Sequence, residues 1–371
     1  MDFTLNDEQQ ALVGLAKQIL EKEVTQERLD GLTESGTWFD CELWQQLAAA
    51  GLVGASLSED VGGGGLGFAA AALVLEQVGA TVAQVPLHET VVCAALPIDR
   101  FGTPEQRQRD LPDVVAGTAL LSAALVETGR EDGRQPAALA TETATGWTVS
   151  GVKTAVPLAD AVRRVLVPAT TSAGRTVLLL VEPTAAGVTL RGGTSTNGLP
   201  VFEVELADAP AELLVGPDQG AEALGWLLDR AFTGLAATGL GVSSKALLLS
   251  AQYTTSREQF GRPIATFQAV GHRLADAYID VEAIRLTTLQ AVWRLDAGLS
   301  AHDEARIAKW WAAEGGHRVA HAAQHVHGGV GIDLDYVLHR YFTWSKHVEF
   351  SLGGAQAQLL SLGATLAAEP V

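Results

Sequence analysis

The sequence predicts an α+β protein in which a β-rich middle part separates two helical parts. Its 371 residues are enough for about two or three domains and a large core. Apolar residues recur at helical spacing in residues 1–117 and 223–371, whereas short β-type runs between turn signals occupy residues 118–222. We therefore expect an N-terminal helical domain (1–117), a middle antiparallel β-domain (118–222) and a C-terminal four-helix bundle (223–371).

The N-terminal part contains at least three helical patterns. Thr4 or Asn6 can cap a first helix, because both side chains accept hydrogen bonds from backbone N–H groups. Further helices are predicted over Cys41–Gly51 and Phe68–Gly79, and Phe101–Arg107 leads into another.

The middle part alternates β-type runs with turn signals. The runs are Ala119–Leu125, Trp147–Val149, Arg164–Val167, Val177–Val181 and Val201–Leu206. The turn signals are Thr145-Gly146, Ser150-Gly151, Ala173-Gly174 and Asn197-Gly198. This spacing predicts a small antiparallel barrel or sandwich.

The C-terminal part begins with a long helix, Trp226–Ser256, that is rich in glycine and alanine. Small side chains let neighbouring helices pack closely. The patterns over Leu274–Ala297, Asp303–Ala323 and Val348–Ala368 complete the predicted four-helix bundle.

Composition and charge limit the possible functions. The formal net charge of −18 argues against nucleic acids and anionic membranes as partners. Two cysteines, Cys41 and Cys93, fit a reducing compartment and no disulfide framework. The acidic, polar start of the chain is unlike a signal peptide, and no apolar run has the ~18 residues of a membrane span. We therefore expect a cytoplasmic protein, and the slightly positive mean hydropathy predicts buried helices and a subunit interface.

One stretch combines cationic side chains with a break between two helices. Arg257–Ala277 reads REQFGRPIATFQAVGHRLADA, and its glycine and proline interrupt the helical pattern. The break brings Arg257, Arg262 and Gln268 around one turn near a helix N-terminus, an arrangement that suits a phosphate or pyrophosphate. A solvated helix–turn–helix is the alternative interpretation of the same composition.

The pattern R-x-x-F-G-R-P-I-x-x-F-Q-x-V-x-H-x-L-A-D-A in this stretch resembles the C-terminal signature of the acyl-CoA dehydrogenases. The resemblance implies that Arg257, Phe260, Phe267 and Gln268 reach across a dimer interface. There they would contact FAD held mainly by the neighbouring subunit.

A second loop resembles another part of the same family. His325–Gly331 reads HVHGGVG and is similar to the family loop Q-x-x-G-G-x-G, which approaches the FAD diphosphate of the partner subunit. His325 stands in the position of the glutamine. Gly328 and Gly329, which have no side chain, would allow the backbone to lie close to the diphosphate.

The same helix carries a possible metal-binding pattern. His317, His321 and His325 are four residues apart and share one helix face. Because no nearby carboxylate completes a ligand set, we expect no metal site.

Two flavin-contacting motifs of the family's middle domain are altered. Residues 127–133 read ETGREDG where the family usually has E-P-x-A-G-S-D, and residues 155–158 read AVPL where it has W-I-T-N. Ala155 cannot replace the tryptophan that packs on the flavin ring. Pro157 lacks both the hydroxyl and the N–H of the usual threonine. The resemblance thus implies that this chain holds no flavin of its own, unless another segment compensates.

The catalytic base is also missing from the positions where the family places it. One position lies in the family's Y-E-G-T segment and the other near the start of the long helix; they hold Leu352 and Ala231 here. Neither side chain accepts a proton. Asp229, Glu258 and Glu349 lie nearby in sequence, but helical spacing directs them elsewhere, so we expect no catalytic residue in this chain.

The chain thus keeps the motifs that would reach a neighbour's FAD, whereas the motifs that would hold its own FAD and supply the base are altered. In this combination the chain resembles the β-type subunit of the actinobacterial acyl-CoA dehydrogenases of steroid side-chain degradation. Those enzymes are α2β2 heterotetramers with FAD at each unlike interface. The resemblance implies FAD as cofactor, an α-type partner subunit and an acyl-CoA substrate, a steroid side-chain CoA thioester. Two alternatives stay open: a homo-oligomeric dehydrogenase with a relocated base, such as Asp229, and a flavin-free scaffold.

Overall fold

The computed structural model describes residues 3–130, 133–144 and 146–368. The helices of the N-terminal part within these residues are α1 (Asp7–Glu23), α2 (Gln26–Glu34), α3 (Cys41–Ala49), α4 (Gly67–Thr81), α5 (Leu96–Phe101) and α6 (Pro104–Val115). A π-helical segment, His88–Ala95, runs directly into α5. The sequence predicted α1, α3, α4 and α6 but not α2 or the helical residues from His88 to Phe101.

Two capping boxes explain where α1 and α6 begin. Asn6 Oδ1 accepts a hydrogen bond from Gln9 N at 2.8 Å, and Gln9 Oε1 accepts one from Asn6 N at 3.1 Å. Asn6, and not Thr4, is therefore the N-cap of α1. Thr103 and Gln106 form the equivalent pair at α6.

The middle part is a seven-stranded sheet. Its strands are β1 (Leu121–Ala123), β2 (Leu139–Thr143), β3 (Gly146–Pro157), β4 (Arg164–Thr171), β5 (Thr176–Val181), β6 (Val188–Thr194) and β7 (Pro200–Val215). The order is β1-β4-β2-β3-β7-β5, with β6 paired to β7. The pairings are antiparallel except for β1–β4 and β2–β4, which are parallel.

The predicted β-domain is confirmed, although two of its strands, β2 and β6, were not recognised. The predicted turn at Ser150-Gly151 is wrong, because both residues lie inside β3, where Gly151 occupies a shift in the register with β7. Thr145 of the predicted Thr145-Gly146 turn lies outside the described residues. Turn chemistry alone does not distinguish a bulge within a strand from the end of the strand.

The C-terminal part is helical, as predicted. Its helices within the described residues are α7 (Gly220–Ser256), α8 (Gln268–Asp296), α9 (His302–His327), α10 (Leu338–Phe350) and α11 (Ala355–Ala368). The predicted last helix, Val348–Ala368, is wrong, because Ser351–Gly354 separates α10 from α11. Within that break Leu352 and Gly353 have φ values of +53° and +84°, which no α-helix contains.

Glycines of α7 and α4 allow these helices to touch through their backbones. A Cβ atom on Gly241 would lie 1.9 Å from the carbonyl oxygen of Glu76, and one on Gly79 would lie 2.1 Å from that of Thr238. On another side of α7, a Cβ on Gly239 would lie 3.1 Å from Val348. The prediction that small residues permit close packing of this helix is confirmed.

The length and composition of α7 would suffice for a membrane span, which the sequence analysis did not anticipate. Its most apolar 18-residue window has a mean hydropathy of 1.3, but 72% of that window is buried inside the protein. Such burial is typical of a core helix.

By its contacts the chain forms two compact units. One contains the described residues of 1–34, 72–83 and 232–371, and the other those of 35–71 and 84–231. The domain limits 1–117, 118–222 and 223–371 stay predictions.

Candidate functional site

A short hairpin joins α7 to α8. Its strands, β8 (Glu258–Gln259) and β9 (Arg262–Pro263), are antiparallel, and the turn consists of Phe260 and Gly261. Both turn residues have positive φ values, +55° and +77°, which is the geometry of a tight two-residue turn. The sequence predicted the break in the helix but not this hairpin.

Phe260 stands at the tip of the hairpin and is 93% exposed. A bulky residue at positive φ is uncommon and strained, and such strain is concentrated at functional sites. The hairpin therefore presents a large apolar side chain away from the chain's own core.

The two arginines of this region have different environments. The Arg262 guanidinium lies 4.2 Å from the ring centroid of Phe267, which also makes an edge contact with Phe260 at 6.1 Å. The exposed side chain of Arg257 makes no hydrogen bond or ion pair with any residue in the described part of the chain. Gln268 is the exposed first residue of α8. Arg257 thus keeps all its guanidinium donors available for a ligand.

The glycine loop follows the end of α9. His325 is exposed on the last turn of that helix, and Gly328 ends it with φ +59°. A Cβ atom on Gly328 or Gly329 would find no other atom within 4 Å. The outer side of this loop is therefore open for the close approach of a ligand or another subunit.

A histidine that the sequence analysis missed connects the glycine loop with the end of α7. The His327 ring stacks on Tyr253 with 4.3 Å between centroids. Its Nδ1 donates to the carbonyl oxygen of Ala323 at 2.8 Å, and its Nε2 accepts from the Tyr336 hydroxyl at 3.1 Å. Burial lowers the pKa of His327, in agreement with this neutral tautomer. Tyr253 precedes Arg257 by one helical turn, so the cluster fixes the glycine loop against the helix that leads into the hairpin.

Glu127, the first residue of the first altered flavin motif, forms a buried ion pair with Lys153. Lys153 Nζ lies 2.6 Å from Glu127 Oε1 and donates to the carbonyl oxygen of Pro168 at 2.7 Å. Glu127 also accepts from two backbone N–H groups, those of Ala137 and Ala138. The pair ties the segment after β1 to β3 and β4. Glu131 and Asp132 of the first motif lie outside the described residues.

Ala155 and Pro157 are the two residues of the second motif that differ from the family's flavin contacts. Ala155 is exposed at a register shift of β3, with φ +51°. The carbonyl oxygen of Pro157 accepts from Ser122 Oγ at 2.6 Å, and its nitrogen carries no proton. Ala155 offers no aromatic surface, and Pro157 offers neither an N–H nor a hydroxyl donor, so these residues do not reproduce the flavin contacts of a tryptophan and a threonine.

Ala231 and Leu352, the two residues at the expected positions of a catalytic base, are both buried. Ala231 lies in α7 with no exposed surface, and Leu352 lies in the break between α10 and α11. A fully buried lysine holds this break, because Lys309 Nζ donates to the carbonyl oxygens of Glu349 at 3.2 Å and Gly353 at 3.1 Å. Burial lowers the pKa of Lys309 to about 7.

Glu349 is one of the three carboxylates that sequence reasoning set aside. It lies 2.7 Å from Lys346 Nζ and 3.1 Å from His317 Nδ1. Burial raises the pKa of Glu349, but these two partners outweigh burial and hold it below its usual value. Of the other two carboxylates, Glu258 is exposed on β8 and Asp229 is half-buried in α7.

The position of Glu349 also changes the argument about a metal. The sequence analysis assumed that no carboxylate lies near the three histidines, and this assumption is wrong for His317. However, Lys346 Nζ lies 2.7 Å from His317 Nδ1 and so occupies that nitrogen. In residues 3–130, 133–144 and 146–368, no group of three or more His, Cys, Asp or Glu side chains is arranged to hold a metal ion.

Sequence reasoning missed a buried carboxyl group in the π-helical segment. Glu89 is 8% exposed, and burial raises its pKa to about 7. The neighbouring His88 places Nε2 2.9 Å from the carbonyl oxygen of Ala231, one of the positions without a base. π-Helical turns are frequent at functional sites. No local signal could have identified Glu89, because its burial depends on residues far away in the sequence.

Comparison with known proteins gives consistent matches along the chain. The family model described as acyl-CoA dehydrogenase, N-terminal domain, matches residues 6–118, and that of the C-terminal domain matches residues 218–367. The chain is 40% identical over 383 residues to acyl-CoA dehydrogenase FadE27 of Mycobacterium tuberculosis, and the match covers 100% of both proteins.

Two solved structures are similar over nearly the whole chain. The Tcur3481-Tcur3483 steroid ACAD G363A variant is 45% identical with a TM-score of 0.93, covering 98% of this chain and 99% of that one. The ChsE4-ChsE5 complex from Mycobacterium tuberculosis is 40% identical with a TM-score of 0.93, covering 100% of each chain. Both names denote assemblies of two different components.

The raised pKa of Glu89 predicts a pH-dependent effect of Glu89→Gln. Below about pH 4.5 the carboxyl is protonated in the folded and unfolded states alike, whereas between pH 4.5 and about 7 only the folded state keeps the proton. The folded protein therefore loses roughly 3 kcal/mol of stability as the pH rises through this window. Because glutamine does not ionise, the variant should gain about 2–3 kcal/mol relative to the wild type between pH 5 and pH 8.

Urea unfolding at pH 5 and pH 8 measures this difference. Val91→Ala, a cavity variant in the same buried segment, is the control and should destabilise the protein equally at both pH values. Equal effects of Glu89→Gln at the two pH values would show that the carboxyl is already ionised in the folded protein at pH 5.

Proposed function

The chain belongs to the acyl-CoA dehydrogenase family, and we propose that it is the β-type subunit of a heteromeric FAD-dependent member. In this proposal it assembles with a homologous α-type subunit into an α2β2 heterotetramer. The observation that carries the proposal is an asymmetry: the loops that would reach a neighbour's flavin are present and exposed, whereas Ala155, Pro157, Ala231 and Leu352 occupy the positions of this chain's own flavin contacts and base. Two similar structures that pair unlike components support it.

The residues on the exposed loops fit FAD held by a neighbour. Arg257 offers unengaged guanidinium donors to the diphosphate, and Phe260 offers an exposed aromatic ring. Gly328 and Gly329 leave room for a phosphate group against the backbone. When bound, FAD supplies a hydride acceptor for the β-carbon of the acyl-CoA. This chain's residues would position the cofactor and exclude water from one side of it.

The same proposal assigns the α-proton to a carboxylate of the partner subunit. A general base works best with a pKa near the operating pH. Glu349 is instead held as a paired carboxylate by Lys346 and His317, and Glu258 lies exposed on a hairpin strand. Leu352 occupies the turn that Lys309 maintains, so the backbone of a catalytic turn persists here without its carboxylate.

One observation favours a second candidate function, a homo-oligomeric dehydrogenase with a relocated base. Glu89 has the raised pKa of a base, and His88 links it to the backbone at Ala231. The exposed Ala155 and the N–H-free Pro157 argue against this alternative, because a base without a flavin in the same subunit completes no site. Asp229, the earlier candidate for a relocated base, has no such support.

We further propose a steroid side-chain CoA thioester as substrate and the cytoplasm as location. The substrate class follows from the similar structure that is named a steroid ACAD. The net charge of −18 and the two cysteines support a cytoplasmic protein without nucleic-acid or membrane partners.

A visible absorption spectrum tests the proposed function. The chain purified alone should be colourless, and co-expression with its α-type sister should yield a yellow complex containing both proteins. Yellow, active protein from this chain alone would favour the homo-oligomeric enzyme. Colourless protein under both conditions would favour the flavin-free scaffold.

Arg257→Ala should weaken FAD retention in the assembled complex by at least about tenfold. A charge-assisted hydrogen bond is worth about 1.5–3 kcal/mol, and the substitution removes every donor of the side chain. Arg257→Lys should have an intermediate effect, because lysine keeps the charge but not the planar fork. Flavin fluorescence during dilution measures release, and Arg191→Ala, on the exposed strand β6, is the control. Release from Arg257→Ala at the control rate would contradict the assignment.

Single neutral substitutions of the four candidate carboxylates should leave turnover of the complex within about tenfold. The variants are Glu89→Gln, Asp229→Asn, Glu258→Gln and Glu349→Gln. Loss of a true general base typically costs 10²–10⁴-fold, so steady-state rates separate a base from a bystander. A loss of a hundredfold or more in one variant, with FAD bound and the complex intact, would place the base in this chain. For Glu89→Gln that result would restore the homo-oligomeric alternative.

A further inference from the structure

The glycine loop is closed at its base by one pair of side chains. His327 precedes the loop at the end of α9, and Tyr336 follows it nine positions later. The Tyr336 hydroxyl lies 3.1 Å from His327 Nε2, so this contact joins the two ends of the loop. The residues between them, Gly328–Asp335, are exposed except for Gly331. The shape of an exposed loop depends strongly on such a closure, because few of its side chains are held by packing.

Neighbouring helices hold the backbone of the same loop. Gln324 Nε2 of α9 donates to the carbonyl oxygen of Gly328 at 3.1 Å, and a Cβ atom on Gly331 would lie 2.7 Å from this nitrogen. The lack of a side chain at Gly331 therefore lets the loop lie directly against Gln324. On the far side, Gln26 of α2 donates to the carbonyl oxygen of Asp335. The loop is thus fixed at both of its ends, whereas its outer face stays open.

The hydrogen bonds of His327 define one neutral form of its ring. A backbone carbonyl oxygen only accepts, so Nδ1 carries the proton that is donated to Ala323 at 2.8 Å. Nε2 is then an acceptor, and the hydroxyl of Tyr336 donates to it. His327 is only 3% exposed, and this burial lowers its pKa and favours the neutral form. The closure of the loop is therefore a directional hydrogen bond that a phenylalanine at either end would abolish.

The same histidine links the loop to the hairpin that follows Arg257. Its ring stacks on Tyr253 of α7 with 4.3 Å between centroids and 24° between the planes. The carbonyl oxygen of Tyr253 accepts from the backbone N–H of Arg257 at 2.8 Å. The carbonyl oxygen of Arg257 in turn accepts from the N–H of Ile264 at 2.8 Å, across the base of the hairpin. A continuous series of contacts thus leads from the glycine loop through His327 to Arg257.

We propose that His327 is a positioning residue for the flavin of the neighbouring subunit. Through Tyr336 it closes the glycine loop, and through Tyr253 it holds this loop and the Arg257 hairpin in one arrangement. Both loops would then meet the cofactor in a shape that exists before binding. The inference deepens the proposed function, on which it rests, by naming a buried residue on which the two exposed loops depend.

Order that exists before binding raises affinity, because the entropic cost of fixing the loops is not incurred when the cofactor binds. A hydrogen bond between neutral groups typically changes an equilibrium by about two- to tenfold. Loss of the bond between Tyr336 and His327 should therefore weaken FAD binding by a similar factor. A role confined to general stability would instead lower the resistance of the protein to urea and leave the affinity for FAD unchanged.

A double-mutant cycle on the purified complex tests the hydrogen bond. Tyr336→Phe removes one hydroxyl group, and His327→Phe keeps a stacked ring but removes both ring nitrogens. Each single variant should raise the Kd of FAD by about three- to tenfold. The double variant should match His327→Phe to within about twofold, because the Tyr336 hydroxyl has no histidine acceptor once His327 is replaced. Titration of the flavin-free complex with FAD, followed by flavin fluorescence, measures the four constants.

Tyr341→Phe is the matched control. Tyr341 is 4% exposed, and its hydroxyl donates to the carbonyl oxygen of Ala80 at 2.8 Å, so this variant also loses one tyrosine hydrogen bond. It should be destabilised in urea about as much as Tyr336→Phe but keep the wild-type Kd of FAD. The inference is overturned if Tyr336→Phe and His327→Phe bind FAD as tightly as this control. It also fails if the effects of the two substitutions multiply in the double variant, because the two residues then act separately.

Amide hydrogen exchange of the flavin-free complex tests the link between the loop and the hairpin. His327→Ala removes the stacked ring as well as the hydrogen bonds, and should accelerate exchange in residues 328–335 and in residues 257–264 alike. Tyr336→Phe, which keeps the stack, should accelerate exchange mainly in residues 328–335. Unchanged exchange of residues 257–264 in His327→Ala would show that the hairpin does not depend on His327, and would contradict the inference.

The inference and the proposed function fail in different ways. A complex that binds FAD with the same Kd in wild type, Tyr336→Phe and His327→Phe would contradict the inference and leave the proposed function in place. A complex that never binds FAD would contradict the proposed function, and with it any role of His327 toward a flavin. Coupled exchange of the two loops in such a complex would show that His327 serves the structure of the chain alone.

Discussion

The close approach of α7 to its neighbours is the constraint on which the C-terminal helices depend. Backbone atoms of α7 and α4 meet where Gly241 and Gly79 lie, and a single added methyl group at either position would overlap a carbonyl oxygen. Interiors packed at this density do not absorb such an overlap without moving a helix. Since α7 also ends at the hairpin, the same packing determines where Arg257 and Phe260 project.

Two buried lysines hold the backbone at motifs that are altered in this chain. Lys309 holds the break that contains Leu352, and Lys153 holds Glu127 at the start of an altered flavin motif. Removing one partner of a buried pair typically costs 3–5 kcal/mol.

The exposed part of the candidate site consists of the hairpin and the glycine loop. The hairpin and the glycine loop expose an aromatic ring, a guanidinium and bare backbone, a combination suited to a cofactor with phosphate groups.

The sequence by itself determined the order of helical and β-rich parts, two candidates for the N-cap of α1, and the motifs at Arg257–Gln268 and His325–Gly331. These features depend on residues close together in the chain, where periodicity, capping and spacing carry the information. Only the tertiary structure decided the division of the last predicted helix, the pairing of Glu349 with His317 and the burial of Glu89. Lys309 reaches the broken turn from a position 44 residues before Gly353, and His317 precedes Glu349 by 32 residues. Burial and long-range pairing depend on which distant segments pack together, and no local pattern of residues encodes that choice.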